Sequence, residues 1–224
     1  MIKTEQTEYL KENLKFWEYL TEKEKKMLIN NTTEVSYKSG QNVHSAEQNC
    51  IGMIMIREGE LRTYILSEEG KEITLYRLGS NDICVLSASC VLRNITFDVH
   101  IDAEKDTKAY VIDSDVFSKL CEDNIYVENF ALRLTAERFS DVMWAMEQIL
   151  FMSFDKRLAV FLLDETSKKG NDSLSLTHEQ IAKYMGSARE VVSRMLKYFA
   201  KEGIVELSRG CIHIKDRKKL KELL

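Results

Sequence analysis

Two helix-start signals only ten residues apart, in Thr177–Gly203 (THEQIAKYMGSAREVVSRMLKYFAKEG), constrain this chain more than any other feature. Thr177 with Gln180 three places on, and Ser187 with Glu190, both fit the S/T-x-x-E/Q capping box. Starts that close leave room for only a two-turn helix between them. Gly186 stands where the chain must reverse, and glycine accepts the positive φ that such a turn requires. Ile181, Ala182 and Met185 give the first helix one apolar face; Val191, Val192, Met195, Leu196 and Phe199 give the second helix another. Two short helices with facing apolar sides and one tight turn predict a helix-turn-helix, the arrangement that seats its second helix in the DNA major groove.

The opposite side of the second helix carries the chemistry. Glu190, Ser193, Arg194 and Lys197 recur at i, i+3, i+4 and i+7 and therefore share one face, with Arg189 beside them in the first turn. Arginine can bond a guanine edge through two parallel hydrogen bonds, and glutamate can accept from a cytosine amino group. Lysine and serine suit phosphate. Thr177, His178 and Ser187, at the two helix starts, complete the expected DNA-contacting set.

Charge supports the same partner. The 224-residue chain has a net charge of −4, which taken alone argues against nucleic acid. Residues 151–224, however, hold 15 Lys and Arg against 10 Asp and Glu, a local +5, while residues 1–150 hold 17 against 26, a local −9. A positive region on an acidic protein is what attraction to phosphate requires. The apolar runs are too short to span a bilayer, and the N-terminal MIKTEQTEYLKEN lacks a leader's apolar stretch, so the expected location is the cytoplasm, away from membranes. Five cysteines, an odd number, do not resemble a secreted disulfide framework.

Upstream, the first thirty residues read as helical. From Thr33 to Asp113 the texture changes to short strands such as GMIMIREG, ELRTYILSEEG, KEITLYRLG, TFDVHIDAE and TKAYVID, with a hairpin turning at Glu68-Glu69-Gly70. Strands without intervening helices predict a sandwich or jelly-roll barrel. From Asn124 to Leu150 the period is helical again. Leu132, Phe139, Val142, Met146 and Ile149 fall at coiled-coil spacing, along a rod of roughly 37 Å. Such a helix either belongs to an internal core or meets a second copy of the chain; its length between two domains favours the second copy. Ser153 is placed to cap the helix that follows, and Gly170-Asn171 ends it. After Gly203 a small hairpin turns at Arg209-Gly210, and a last helix starts at Asp216. Lys215, Arg217, Lys218 and Lys219 cluster there, equally suited to phosphate or to solvent.

The fold class is therefore α+β. Residues 1–123 form a double-stranded β-helix (jelly-roll) sensor barrel with N-terminal helices, 124–150 a dimerisation helix, and 151–224 a winged helix-turn-helix. This order, and above all LTHEQIAKYMGSAREVVSRMLKYFAKEGIVELSRGCIHIKD, resembles the Crp/Fnr family of transcription regulators. The resemblance rests on the spacing of Ala182, Gly186, Arg189, Glu190, Val192, Ser193, Arg194 and Gly203. It implies a homodimer on a pseudo-palindromic operator, with Arg189, Glu190 and Arg194 on bases and Ser193 at a position that some branches also use. RNA polymerase is a further partner it implies.

The sensor departs from the cyclic-nucleotide branch. That branch places a Gly-Glu pair and then an Arg-Ser/Thr-Ala run around the cyclic phosphate. Here DICVLSASCVLRNITFDVHID puts Val85-Leu86 and Phe97-Asp98 at those places, and Arg93, the nearby cation, stands out of register. A cyclic phosphate needs a cation or several N–H donors, so cyclic AMP is not the expected effector. Iron–sulfur members cluster cysteines near the N-terminus, whereas the first here is Cys50, which argues against a cluster. For haem the candidate axial ligands are His44, His100 and Cys84, none in a diagnostic motif. Cys84 and Cys90, flanking the altered cassette, are the candidate sensor thiols, read either as small buried hydrophobes or as a thiol switch or part of a ligand-lined pocket. No metal site is expected, and the cofactor stays open. With four histidines, two of them in the DNA-binding region, and no P-loop or nucleophile elbow, the residues do not point to an enzyme. Two regulatory readings remain: DNA binding controlled by a small molecule or a thiol- or haem-based redox signal, or constitutive binding with a degenerate barrel.

Overall fold

A computed structural model describes residues 2–45, 50–85 and 99–224. The chain divides into two compact units, Met1–Leu66 with Leu75–Val142, and Ser67–Thr74 with Met143–Leu224.

In the first unit, helices α1 (Ile2–Asn13) and α2 (Glu22–Asn30) flank a 3₁₀ turn at Trp17–Tyr19. Thr21 and Glu24 close a reciprocal capping box at the start of α2. Eight strands follow: β1 (Thr32–Tyr37), β2 (Asn42–His44), β3 (Met53–Glu58), β4 (Leu61–Leu66), β5 (Glu72–Leu78), β6 (Ile83–Cys84), β7 (His100–Ala103) and β8 (Thr107–Ile112). They form two four-stranded sheets, β1-β8-β3-β6 and β2-β7-β4-β5. The sheets share one apolar core, and the outer face of the first is covered by helices. Strand β3 shows why its sequence is apolar throughout rather than alternating. Met53 and Met55 point to the helices, Ile54 and Ile56 point between the sheets, and all four are fully buried. The expected double-sheet barrel is therefore present.

Helix α3 (Ser114–Asp123) leads into the 27-residue α4 (Ile125–Phe151), which crosses the boundary at 142. Its first turns bury Val127, Phe130 and Ala131 against the first unit's helical core. The remaining elements belong to the second unit: α5 (Phe154–Lys169), β9 (Ser173–Leu174), α6 (His178–Met185), α7 (Arg189–Lys201), β10 (Val205–Ser208), β11 (Cys211–Ile214) and α8 (Arg217–Glu222). Gly170, left-handed at φ 65°, ends α5 as expected. Ser153 takes the N-cap position of α5, but its side chain does not cap the helix. Strands β10 and β11 pair antiparallel as the wing, and β9 extends the sheet along β11. One core, built on Leu158, Leu162, Ile181, Val192, Leu196, Phe199 and Ile212, joins α5, α6, α7 and this sheet. No helix among the described residues is long and apolar enough to cross a membrane.

Candidate nucleic-acid interface

The turn between α6 and α7 is built as the residues dictate, with one exception. Thr177 caps α6 reciprocally: its Oγ1 accepts from the Gln180 N–H at 3.1 Å, and its own N–H donates to Gln180 Oε1 at 2.9 Å. At the other end Gly186 is left-handed, φ 58°, and the Ser187 N–H reaches back to the Ala182 carbonyl at 2.9 Å. These bonds form a Schellman closure, which satisfies carbonyls that the helix end leaves open. A side chain at Gly186 would also crowd Ile73, whose Cγ1 would stand 3.2 Å from a Cβ. Arg157 of α5 adds a charged donor, its Nη1 bonding the Met185 carbonyl at 3.2 Å.

The exception is the second capping box. Helix α7 begins at Arg189 with Ala188 as N-cap, and no side chain caps it. Ser187 is spent on closing α6, one residue too early to cap α7. Its predicted pairing with Glu190 is therefore corrected to a Schellman turn followed directly by an uncapped helix.

Helix α7 is sharply two-sided. Val192, Leu196 and Phe199 are fully buried, with Val191 and Met195 half-buried behind them. On the other side Arg189, Glu190, Ser193, Arg194 and Lys197 together line a recess of about 450 Å³. Arg189, Glu190, Arg194 and Lys197 are exposed, and Ser193 is half-buried at the base. His178, in the first turn of α6, belongs to the same electrostatic neighbourhood. Burial first, then the positive charges of Arg189 and Lys197, hold its imidazole below the usual histidine range. Thr177 is exposed and Ser187 half-buried at the two ends of α6.

The basic cluster at the C-terminus is largely engaged within the unit. Lys215 pairs with Glu206 at 3.2 Å, Arg217 bonds Asp172 and Ser167, Lys218 lies 3.9 Å from Glu222, and the Lys219 ammonium donates to the Glu202 carbonyl at 3.2 Å. Arg209, at the turn of the wing, is exposed and has no hydrogen bond or ion pair among the described residues. The Arg209-Gly210 pair marks that turn in the sequence, but nothing in its spacing assigns the arginine a role.

The long helix separates two kinds of apolar residue. Leu132, Phe139, Met146 and Ile149 are exposed, at 54%, 66%, 46% and 41%. Val142, expected on the same seam, is half-buried against the core between the sheets. At about 100° per residue the exposed stripe is instead Leu132, Ala136, Phe139, Met143, Met146 and Leu150. Sequence periodicity alone does not distinguish Val142, which covers its own unit's core, from Phe139, which stays largely exposed.

In the barrel, Cys84 is buried and not disulfide-bonded, and Cys90 lies outside the described residues together with the rest of 86–98. Cys50 is disulfide-bonded. The Cys121 thiol is pushed up to about 12 by burial and by Glu128 and Glu122, which disfavours its thiolate. Of the candidate haem ligands, His44 is buried and His100 stacks on Tyr64 with ring centroids 5.3 Å apart. No cluster of three or more metal-ligating side chains occurs among the described residues.

Residues 156–223 match the Crp-like helix-turn-helix domain, and residues 34–124 match the cyclic nucleotide-binding domain. A crystal structure from Eubacterium rectale, assigned to the Crp/Fnr family of transcriptional regulators, is 48% identical, covers 95% of this chain and 98% of its own, and superposes with a TM-score of 0.90. The Anaerobic regulatory protein of Haemophilus influenzae is 28% identical over 85% of this chain and 73% of its own. The Cyclic AMP receptor protein of Thermus thermophilus is 23% identical over 76% and 78% respectively. With a two-sheet barrel, a long helix and a two-sided recognition helix ending in a wing, this chain belongs to the Crp/Fnr family and is a DNA-binding transcription regulator.

Proposed function

We propose that two copies of this chain pair along the exposed stripe of α4 and place their α7 helices in successive major grooves of a pseudo-palindromic operator. Two-fold symmetry sets the half-sites about one helical turn, ~34 Å, apart. Arg189, Glu190 and Arg194 read base edges; Ser193 and Lys197, with Thr177, His178 and Ser187 around them, hold phosphates. The observation that carries this reading is the recess on α7. Five polar side chains line one face while Val192, Leu196 and Phe199 on the opposite face are fully buried, so the exposed face is open to meet DNA.

The barrel is the sensing part, and its signal is not cyclic AMP. The support lies in the sequence: Val85-Leu86 and Phe97-Asp98 replace the pairs that would hold a cyclic phosphate, and they offer it neither a cation nor a hydroxyl.

Selection of bound duplexes from random DNA by the purified full chain tests the proposal. The expected product is an inverted repeat, bound by a dimer, with affinity unchanged by cyclic AMP. Recovery of a single half-site bound by a monomer would refute the paired arrangement, and enrichment of no sequence would refute base reading.

A further inference from the structure

A second recess, in the first unit and remote in sequence from the barrel cassette, has the make-up of a ligand site. It lies between the segment after α1 and the first turns of α4 and encloses about 510 Å³, within the size range of small-molecule sites. Its floor is apolar: Phe16 and Phe130 are buried and meet edge to face, centroids 5.0 Å apart at 71°. Its rim is aromatic and open. Tyr19 and Tyr126 stack at 4.0 Å and 8°, yet each remains about half exposed, at 55% and 50%. Aromatic pairs that keep this much surface in water leave π-faces available to a further ring.

The polar groups are as informative as the rings. Lys15 and Arg133 both line the recess and are exposed, and neither has an ion pair or hydrogen bond among the described residues. Glu137 is one helical turn beyond Arg133, yet its carboxylate lies nearest Arg138, at 3.9 Å. The recess therefore holds two uncommitted cations over an aromatic floor. A guanidinium presents a planar fork that matches a carboxylate, and it also stacks on rings.

We propose that this recess binds a small planar aromatic carboxylate, with its ring against Phe16, Tyr126 and Phe130 and its carboxylate between Lys15 and Arg133. The lining residues of α4, Tyr126, Asn129, Phe130, Arg133, Leu134 and Glu137, lie about 120° around the helix from the exposed stripe that starts at Leu132. A ligand here would therefore leave that stripe uncovered. It would tie the segment after α1 to α4.

The test is calorimetric titration of the full chain with 2-naphthoate and, as a neutral match, 2-naphthamide. The acid is expected to bind, the amide to bind about tenfold more weakly, and the double substitution Lys15→Gln with Arg133→Gln to remove that preference. Both residues are exposed and unpaired, so circular dichroism and DNA affinity of the variant should match the parent; if the double variant misfolds, Arg133→Gln alone carries the test. Binding of neither compound, equal binding of both, or a preference for the acid that survives the substitution would overturn the proposal. None of these results depends on whether α7 reads DNA, so failure here would leave that reading intact.

Discussion

Replacing Phe139 with alanine should separate the paired chains while leaving each fold intact. The side chain is 66% exposed in the isolated chain, so it contributes little to the chain's own core. A phenylalanine offers roughly 200 Å² of surface, so about 130 Å² is open to be covered. At ~25 cal/mol per Å² that cover is worth ~3 kcal/mol, of which the methyl retained by alanine keeps ~0.8. Each copy carries the change, so the dimer loses ~5 kcal/mol, or three to four orders of magnitude in dissociation constant. Sedimentation equilibrium reads this directly. The control lies on the same helix: Trp144 is 54% exposed, comparable to Leu132, but sits about 120° around from the stripe. Trp144→Ala should leave the dimer constant nearly unchanged. Equal effects from the two substitutions, or none from Phe139→Ala, would show that the stripe is not the seam.

Loss of the α6 cap through Thr177→Ala should cost about 1 kcal/mol, visible as a lowered thermal midpoint that Thr177→Ser restores. Arg194→Ala should weaken specific binding by about 1–3 kcal/mol and relax selectivity at one base pair, whereas Lys197→Ala should weaken all sequences alike and reduce the salt slope by about 1; fluorescence anisotropy on operator and scrambled duplexes distinguishes the two patterns. For His178 the sign follows from linkage. In the free chain its pKa is depressed by burial and by Arg189 and Lys197, so it is neutral at pH 7; a nearby phosphate raises that pKa, so binding takes up a proton. Affinity should therefore rise as pH falls through the bound-state pKa, level off below the free-state pKa, and lose this dependence in His178→Gln.

The helix-turn-helix was legible because each of its signals is local. A cap and its partner are three residues apart, and a reversal needs a glycine at one position, so Thr177, Gln180 and Gly186 announce the structure they make. The failure beside them was local too. Ser187 and Glu190 satisfy the same pattern, but the preceding helix needs the Ser187 amide for its own closure, and a pattern cannot show which of two helix ends claims a residue. What the chain hides is long-range. Tyr19 and Tyr126 stand more than a hundred residues apart, and nothing near either of them foretells their stack or the two idle cations beside it.

The long helix shows the limit most clearly. Its apolar residues serve two purposes, sealing the core of their own unit and offering a surface to something else, and both uses recur at the same helical spacing. Summed along the sequence, the two faces blend into one apparent seam rotated toward Val142. Only the side chains that the strands and helices already cover, Val127, Phe130, Ala131 and Val142, show which apolar positions are occupied. The remainder, centred on Phe139 and Met143, are then the surface for which hydrophobic burial has still to be found. A helix that packs on its own domain and also on a partner should therefore be read by subtraction: first the residues its own core consumes, then the stripe left over.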